Sequence, residues 1–153
     1  MGKSALFPPQ KSMAFQIRRA HLAFDRLLTM RLNRHGIKSG FWHYLRALWI
    51  QEGVTQKRLS QVTNVTEGTT VALLKDMSKC NLIVRERDHV DRRKMFVKLT
   101  ARGRALESQL LPHAIETNQI AAQGISQSDL AVCSAVLARM ASNLEEAFKA
   151  SRT

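Results

Sequence analysis

Only two cysteines occur in the 153 residues, Cys80 and Cys133, and they form no CxxC pair. That usage offers no disulfide framework and points to ordinary thiols in a reduced, cytoplasmic setting. No run of 18 apolar residues is present, so no helix is expected to span a membrane. Leu6-Phe7-Pro8-Pro9 is too short to act as the apolar core of a signal segment. The five histidines (His21, His35, His43, His89 and His113) show no HxxxH spacing, and only His113 has a carboxylate three residues on, so neither a metal site nor any other cofactor is expected. Ser-His-Asp patterns, phosphate-binding loops and HExxH are also missing, and no residue is assigned a catalytic role.

Acid is scarce too. Twelve carboxylates stand against 24 lysines and arginines, for a formal charge of +12. Such an excess favours a polyanionic partner, nucleic acid first. The surplus is concentrated: between Arg85 and Arg104 eight cations face three carboxylates, whereas the chain from Ser126 onward is nearly neutral. With 44% hydrophobic residues the chain can bury a core, so general disorder is not expected.

What is present is a helical chain interrupted by one hairpin. An apolar stripe at helical spacing (Ile17, Ala20, Phe24, Leu27, Leu28, Leu32) predicts a helix from about Met13 to His35-Gly36, where glycine suits a left-handed cap. Ser39 is expected to cap a second helix over Phe41–Gln51. Thr55 should cap a third, Gln56–Val62, and Thr66 a fourth, Glu67–Cys80, with Val71, Leu74 and Met77 turned inward. Asn81 then suits a left-handed position. Leu82–Arg87 and Met95–Leu99 read as two strands around the charged tip His89-Val-Asp-Arg-Arg-Lys94. Thr100 precedes a helix from Ala101 to about Gln123, bent by Pro112. Ser126-Gln-Ser-Asp129 opens the last helix, striped by Cys133, Leu137, Met140, Leu144 and Phe148.

The expected fold is mainly α with a small β-hairpin wing: a winged helix-turn-helix with N- and C-terminal dimerisation helices. Residues 1–12 read as a flexible basic arm. Residues 13–36 and 101–153 read as a helical dimerisation region, around a DNA-binding domain at 37–100. A second copy of the chain is the simplest cover for the long terminal stripes, so a homodimer is expected.

Several stretches resemble the MarR (multiple antibiotic resistance regulator) family of winged helix-turn-helix repressors over roughly residues 13–148. They are Trp42-His-Tyr-Leu-Arg-Ala-Leu-Trp49, Thr55-Gln-Lys-Arg-Leu-Ser60, Thr69-Thr70-Val71 to Met77, and Leu82-Ile-Val-Arg-Glu-Arg-Asp88. Asp91-Arg-Arg-Lys94 and Leu99-Thr-Ala-Arg-Gly-Arg-Ala-Leu106 follow; an Asp-x-Arg wing before Leu-Thr-x-x-Gly is specific in that order. The sequence departs at Asn81, where the family usually has glycine, and at Gly68 in the first turn of the recognition helix.

The resemblance implies a homodimer on a pseudo-palindromic operator in double-stranded DNA. It also implies repression relieved by a small aromatic ligand, phenolic or carboxylate, for which an acyl-CoA thioester is a further option. Arg93 matches the wing arginine, and a weakly hydrated planar guanidinium suits a narrow minor groove. Asp91 is placed to pair with it, and Arg92 and Lys94 to meet phosphates. On the recognition helix Glu67, Thr69, Thr70 and Lys75 are candidates for the groove side. Gln56 and Lys57 sit at a helix N-terminus that favours phosphate. Trp42, His43 and Arg46, with His21 and Phe24, form the candidate ligand pocket, against a reading in which Trp42 is simply core. Two alternatives stand beside this: a redox-sensing regulator acting through Cys80 or Cys133, and a DNA-binding factor that answers to no ligand.

Overall fold

The computed structural model describes residues 8–152. Most of the basic arm expected at 1–12 therefore lies outside the described residues. Its last part is a 3-10 turn, Pro9–Lys11, leading to Ser12, whose hydroxyl accepts from Phe15 N and caps the first helix. The chain then runs α1 (Met13–Asn33), α2 (Trp42–Ile50), β1 (Val54–Thr55), α3 (Gln56–Thr63) and α4 (Glu67–Lys79). It continues with β2 (Ile83–Arg87), β3 (Met95–Leu99), α5 (Ala101–Ala121) and α6 (Gln127–Ala150). This is a mainly α winged helix-turn-helix fold with one small antiparallel sheet.

The chain forms two compact units, one through Thr117 and one from Asn118 onward. In the first, a single core joins the end of α1 (Leu32) to the helix-turn-helix (Leu45, Leu59, Leu74), the sheet (Val97) and α5 (Leu110). Side-chain caps set the helix starts: Thr55 Oγ1 accepts from Arg58 N, and Thr66 Oγ1 from Thr69 N. Asn64 and Asn81 take left-handed φ values of 56° and 55°, which closes α3 and α4 without glycine. The second helix departs from expectation at its start. Ser39 lies inside a 3-10 turn, Ser39–Phe41, and caps nothing, and α2 begins at Trp42 with no side-chain cap.

The sheet has three strands in the order β1-β3-β2, one more than the hairpin alone. The pairing of β2 with β3 runs from Ile83 opposite Leu99 to Arg87 opposite Met95. Val54–Thr55 adds an edge strand, with Val54 opposite Val97. At the root of the wing, Thr100 Oγ1 donates to Asn81 O (2.7 Å) and accepts from Gly103 N (3.0 Å). A Cβ at buried Gly103 would collide with the Leu82 carbonyl oxygen. Glycine is what lets the first turn of α5 lie against the start of β2.

The second unit holds the end of α5 and all of α6. Ser126 Oγ accepts from Asp129 N at 3.1 Å, so the expected N-cap forms, but the Asp129 carboxylate accepts from the Ser126 hydroxyl (2.7 Å) in place of the backbone N–H that a capping box uses. No residue of α6 is buried; its stripe includes Leu144 at 71% exposure and Phe148 at 63%.

Candidate nucleic-acid interface

The wing tip is built by its carboxylates. Asp88 Oδ1 accepts from Val90 N (2.7 Å) and Asp91 N (3.3 Å), and Asp88 N donates to Lys94 O (3.0 Å). The bonds from Val90 N and Asp91 N hold the Asp88 carboxyl below its ordinary range, with that from Val90 the largest cause. Asp91 Oδ1 in turn accepts from both Arg93 N (3.1 Å) and Arg93 Nε (3.2 Å). The Arg93 side chain is 92% exposed, yet its direction is set from two atoms. An exposed arginine normally spends its rotamer freedom on binding, and this one has part of that ordering done beforehand.

Five of the expected DNA residues come together. Gln56 and Lys57 from the start of α3, Glu67 from the start of α4, and Arg93 and Lys94 from the wing line one cleft of about 310 Å3. Two helix N-termini and the cationic hairpin thus border one surface, and both features favour anions. Arg85 Nη1 reaches Gln56 Oε1 at 3.5 Å across to β2. Arg92, adjacent in sequence to Arg93, lines a different cleft with Arg87, His89, Phe96 and Lys98. The two arginines therefore serve separate surfaces.

The recognition helix α4 needs one correction. Thr70 was expected on the groove side, but it is fully buried and its hydroxyl lies 2.9 Å from Tyr44 Oη. The inward stripe runs through Thr70, Leu74 and Met77, while Val71 is only partly buried. A buried tyrosine hydroxyl needs a polar partner, and threonine supplies one where valine would not. Thr69 and Lys75 are exposed, and Thr69 Oγ1 accepts from Thr66 Oγ1 at 3.0 Å.

Of the five expected ligand residues, only His43 and Arg46 line a common cavity. Trp42 belongs to the core at 4% exposure, edge-on to Trp49 with ring centroids 5.8 Å apart. Its indole is spent on packing, which corrects its assignment as a pocket wall. Phe24 and His21 stay on the exposed face of α1. His43 and Arg46 do share a cavity, of about 370 Å3, but its other wall is α3, with Arg58, Leu59, Val62 and Thr63. The His43 pKa is lowered by partial burial, then by the nearby charges of Arg46 and His21, with Asp25 opposing.

Two clusters were not anticipated. Arg104 grips Glu52 through Nε (2.7 Å) and Nη2 (2.8 Å), while Glu52 Oε2 also accepts from Leu99 N (3.2 Å). Glu52 is the only carboxylate between Asp25 and Glu67, and that isolation was the available signal. Arg31, 12% exposed, donates to His113 O and Thr117 Oγ1 and pairs with Glu116 at 3.2 Å. His35 Nε2 meets His113 Nε2 at 2.9 Å beside it. Nothing in the local sequence signals contacts between residues about 80 apart. Among the described residues no group of three or more His, Cys, Asp or Glu side chains is arranged to hold a metal, and no helix is long and apolar enough to cross a membrane. Cys80 and Cys133 are free and exposed.

Residues 35–94 match a sequence profile described as the MarR family. The HTH-type transcriptional regulator TtmR of Methylorubrum extorquens is 30% identical over 105 residues, covering 67% of this chain and 54% of TtmR. The chain spans about half the length of the curated relatives it matches. Among solved structures, the DNA complex of Staphylococcus aureus MepR superposes with a TM-score of 0.81 at 23% identity, covering 86% of this chain and 98% of MepR. CouR of Rhodococcus jostii, bound to p-coumaroyl-CoA, gives a TM-score of 0.77 at 18% identity, covering 88% and 95%. At these identities the two structures share the fold with this chain.

Proposed function

The chain belongs to the MarR family of winged helix-turn-helix regulators, and from that premise we propose that it is a homodimeric transcriptional repressor that binds a pseudo-palindromic operator in double-stranded DNA. The observation that carries this reading is the cleft where α3, α4 and the wing converge, with Arg93 exposed and aimed by Asp91. In this reading α4 enters the major groove through Thr69, Lys75 and Glu67, and Arg93 enters the adjacent minor groove. Lys57, Lys94 and Arg92 neutralise phosphates, with Gln56 as a neutral donor beside them. MepR, which shares the fold, was solved on DNA, and this supports the docking mode.

Residues 13–36 and 101–153 form the dimerisation region in this proposal, around a DNA-binding domain at 37–100. A small aromatic ligand releases the operator; the p-coumaroyl-CoA held by CouR supports ligand response on this scaffold. Arg93→Ala tests the reading directly. It should weaken operator binding by about fivefold or more, on the order of 1–3 kcal/mol for one well-placed contact, and leave the oligomeric state unchanged. Unaltered operator affinity in gel-shift titration would remove the wing from the interface.

A further inference from the structure

The cleft beside Arg92 carries a chemistry that duplex binding does not use. It has a volume of about 680 Å3, and Arg87, His89, Arg92 and Lys98 line it around one aromatic ring, Phe96. The strand register places the ring. Phe96 stands opposite Glu86 on one side and Thr55 on the other, and Lys98 stands opposite Val84, so these side chains share one face of the sheet. That face is turned from the core, since Val97 and Leu99, which alternate with Phe96 and Lys98, are buried. The ion pairs of the wing engage Arg93, Lys94 and Lys98; Arg87 and Arg92 join none among the described residues. An aromatic ring on an open sheet face, with uncommitted guanidiniums beside it, suits an unpaired base that stacks while its phosphates meet cations.

We propose that this outer cleft of the wing binds an unpaired DNA strand, with one base stacked on Phe96 and the flanking phosphates held by Arg87 and Arg92. Duplex DNA is the poorer occupant, because its bases are stacked on one another and offer no free face to a ring on the sheet. Two carboxylates also border the cleft, Glu86 and Asp88. They oppose a rigid row of phosphates, whereas an extruded base can donate its amino group to a carboxylate. Both are partly spoken for: Glu86 pairs with Lys98 at 2.7 Å, and Asp88 Oδ1 accepts from Val90 N and Asp91 N.

The choice of DNA over RNA rests on the reading above, in which the neighbouring cleft holds duplex DNA. Arg93 lines that cleft and Arg92, the residue before it, lines this one. A strand that leaves the duplex at the wing has only the hairpin tip to pass before it meets Phe96. The two sites together would favour a junction between duplex and single strand over an uninterrupted duplex.

Fluorescence anisotropy of the full chain with a labelled oligothymidylate of about ten nucleotides, set beside a labelled duplex, tests the site. The wild type should bind both. Phe96→Ala should weaken the oligothymidylate by roughly fivefold or more and change duplex affinity by less than about twofold. Arg87→Gln should weaken the oligothymidylate too, and reduce the slope of log K against log salt by about 0.7 for that probe alone. Arg93→Ala should do the reverse, weakening the duplex and sparing the single strand. Arg87 is exposed on the wing, so Arg87→Gln remains decisive if the loss of the Phe96 ring disturbs the sheet. Absence of oligothymidylate binding by the wild type would overturn the proposal, as would equal affinity across the Phe96 and Arg87 variants. It also fails if Arg93→Ala loses both probes alike, since the strand would then sit in the duplex cleft. An oligouridylate bound more tightly than the oligothymidylate would make this an RNA site and overturn the assignment to DNA. Failure of the wild type to bind any duplex would instead sink the regulator reading, and the oligonucleotide arms would still decide this cleft.

Discussion

At the scale of single residues, position in the sequence and position in space part company most clearly at Arg92 and Arg93. They are neighbours in the chain, yet they line different clefts, because the backbone reverses between them on the bonds that Asp88 and Asp91 provide. Glu52 shows the opposite case, an isolated acid that unites three elements. Its pKa is lowered chiefly by the hydrogen bond from Arg104 and then by that from Leu99 N. A group depressed in the folded state stabilises the fold above its ordinary value of 4.5, and that contribution is lost as pH falls through the folded value. Glu52→Gln should therefore flatten the decline in stability on acidification below pH 4.5, as read by urea denaturation across pH. An unchanged acid limb would mean that the clamp contributes nothing. The site residues legible in the sequence were those with local chemistry, such as the Asp91–Arg93 pair. Thr70, Arg58 and the His35–His113 contact were not legible, because each depends on a side chain from another helix.

At the scale of elements, caps and left-handed asparagines made most boundaries readable. Thr55, Thr66 and Ser126 each accept the expected backbone N–H, and Asn81 takes the positive φ that its place after α4 required. Strand β1 escaped notice because two residues cannot display alternation, and its existence depends on the exposed edge of β3. The start of α2 was misplaced because a 3-10 turn carries the same serine and glycine as a cap. The junction of β2 and α5 offers a sharp test. Gly103 presses against the Leu82 carbonyl, and Trp49 Nε1 donates to the Gly103 carbonyl at 3.0 Å. Gly103→Ala should cost about 2 kcal/mol or more, since the obstacle is backbone rather than a movable side chain. Equal denaturation midpoints for mutant and wild type would show that α5 can slide away at no cost.

At the scale of the whole molecule, the outstanding feature is apolar surface left exposed among the described residues. On α1, Phe15, Ile17, Phe24 and Met30 are exposed; on α6, Val132, Val136, Leu137, Leu144 and Phe148 are exposed. A second copy of the chain is the cover proposed above. Sedimentation should give twice the chain mass, and Leu144→Asp with Phe148→Asp should shift the species toward the monomer, since a buried unpaired charge opposes association. A dimer unmoved by both charges would place the interface away from α6. The amino-acid inventory adds one further consequence. Tyr44 is the only tyrosine in the chain, and its hydroxyl ends on Thr70, inside the helix proposed to read the operator. A fluorinated tyrosine would thus give a single fluorine resonance, placed one hydrogen bond from α4. The fold carries its own one-signal reporter on that helix, with no need for an added label.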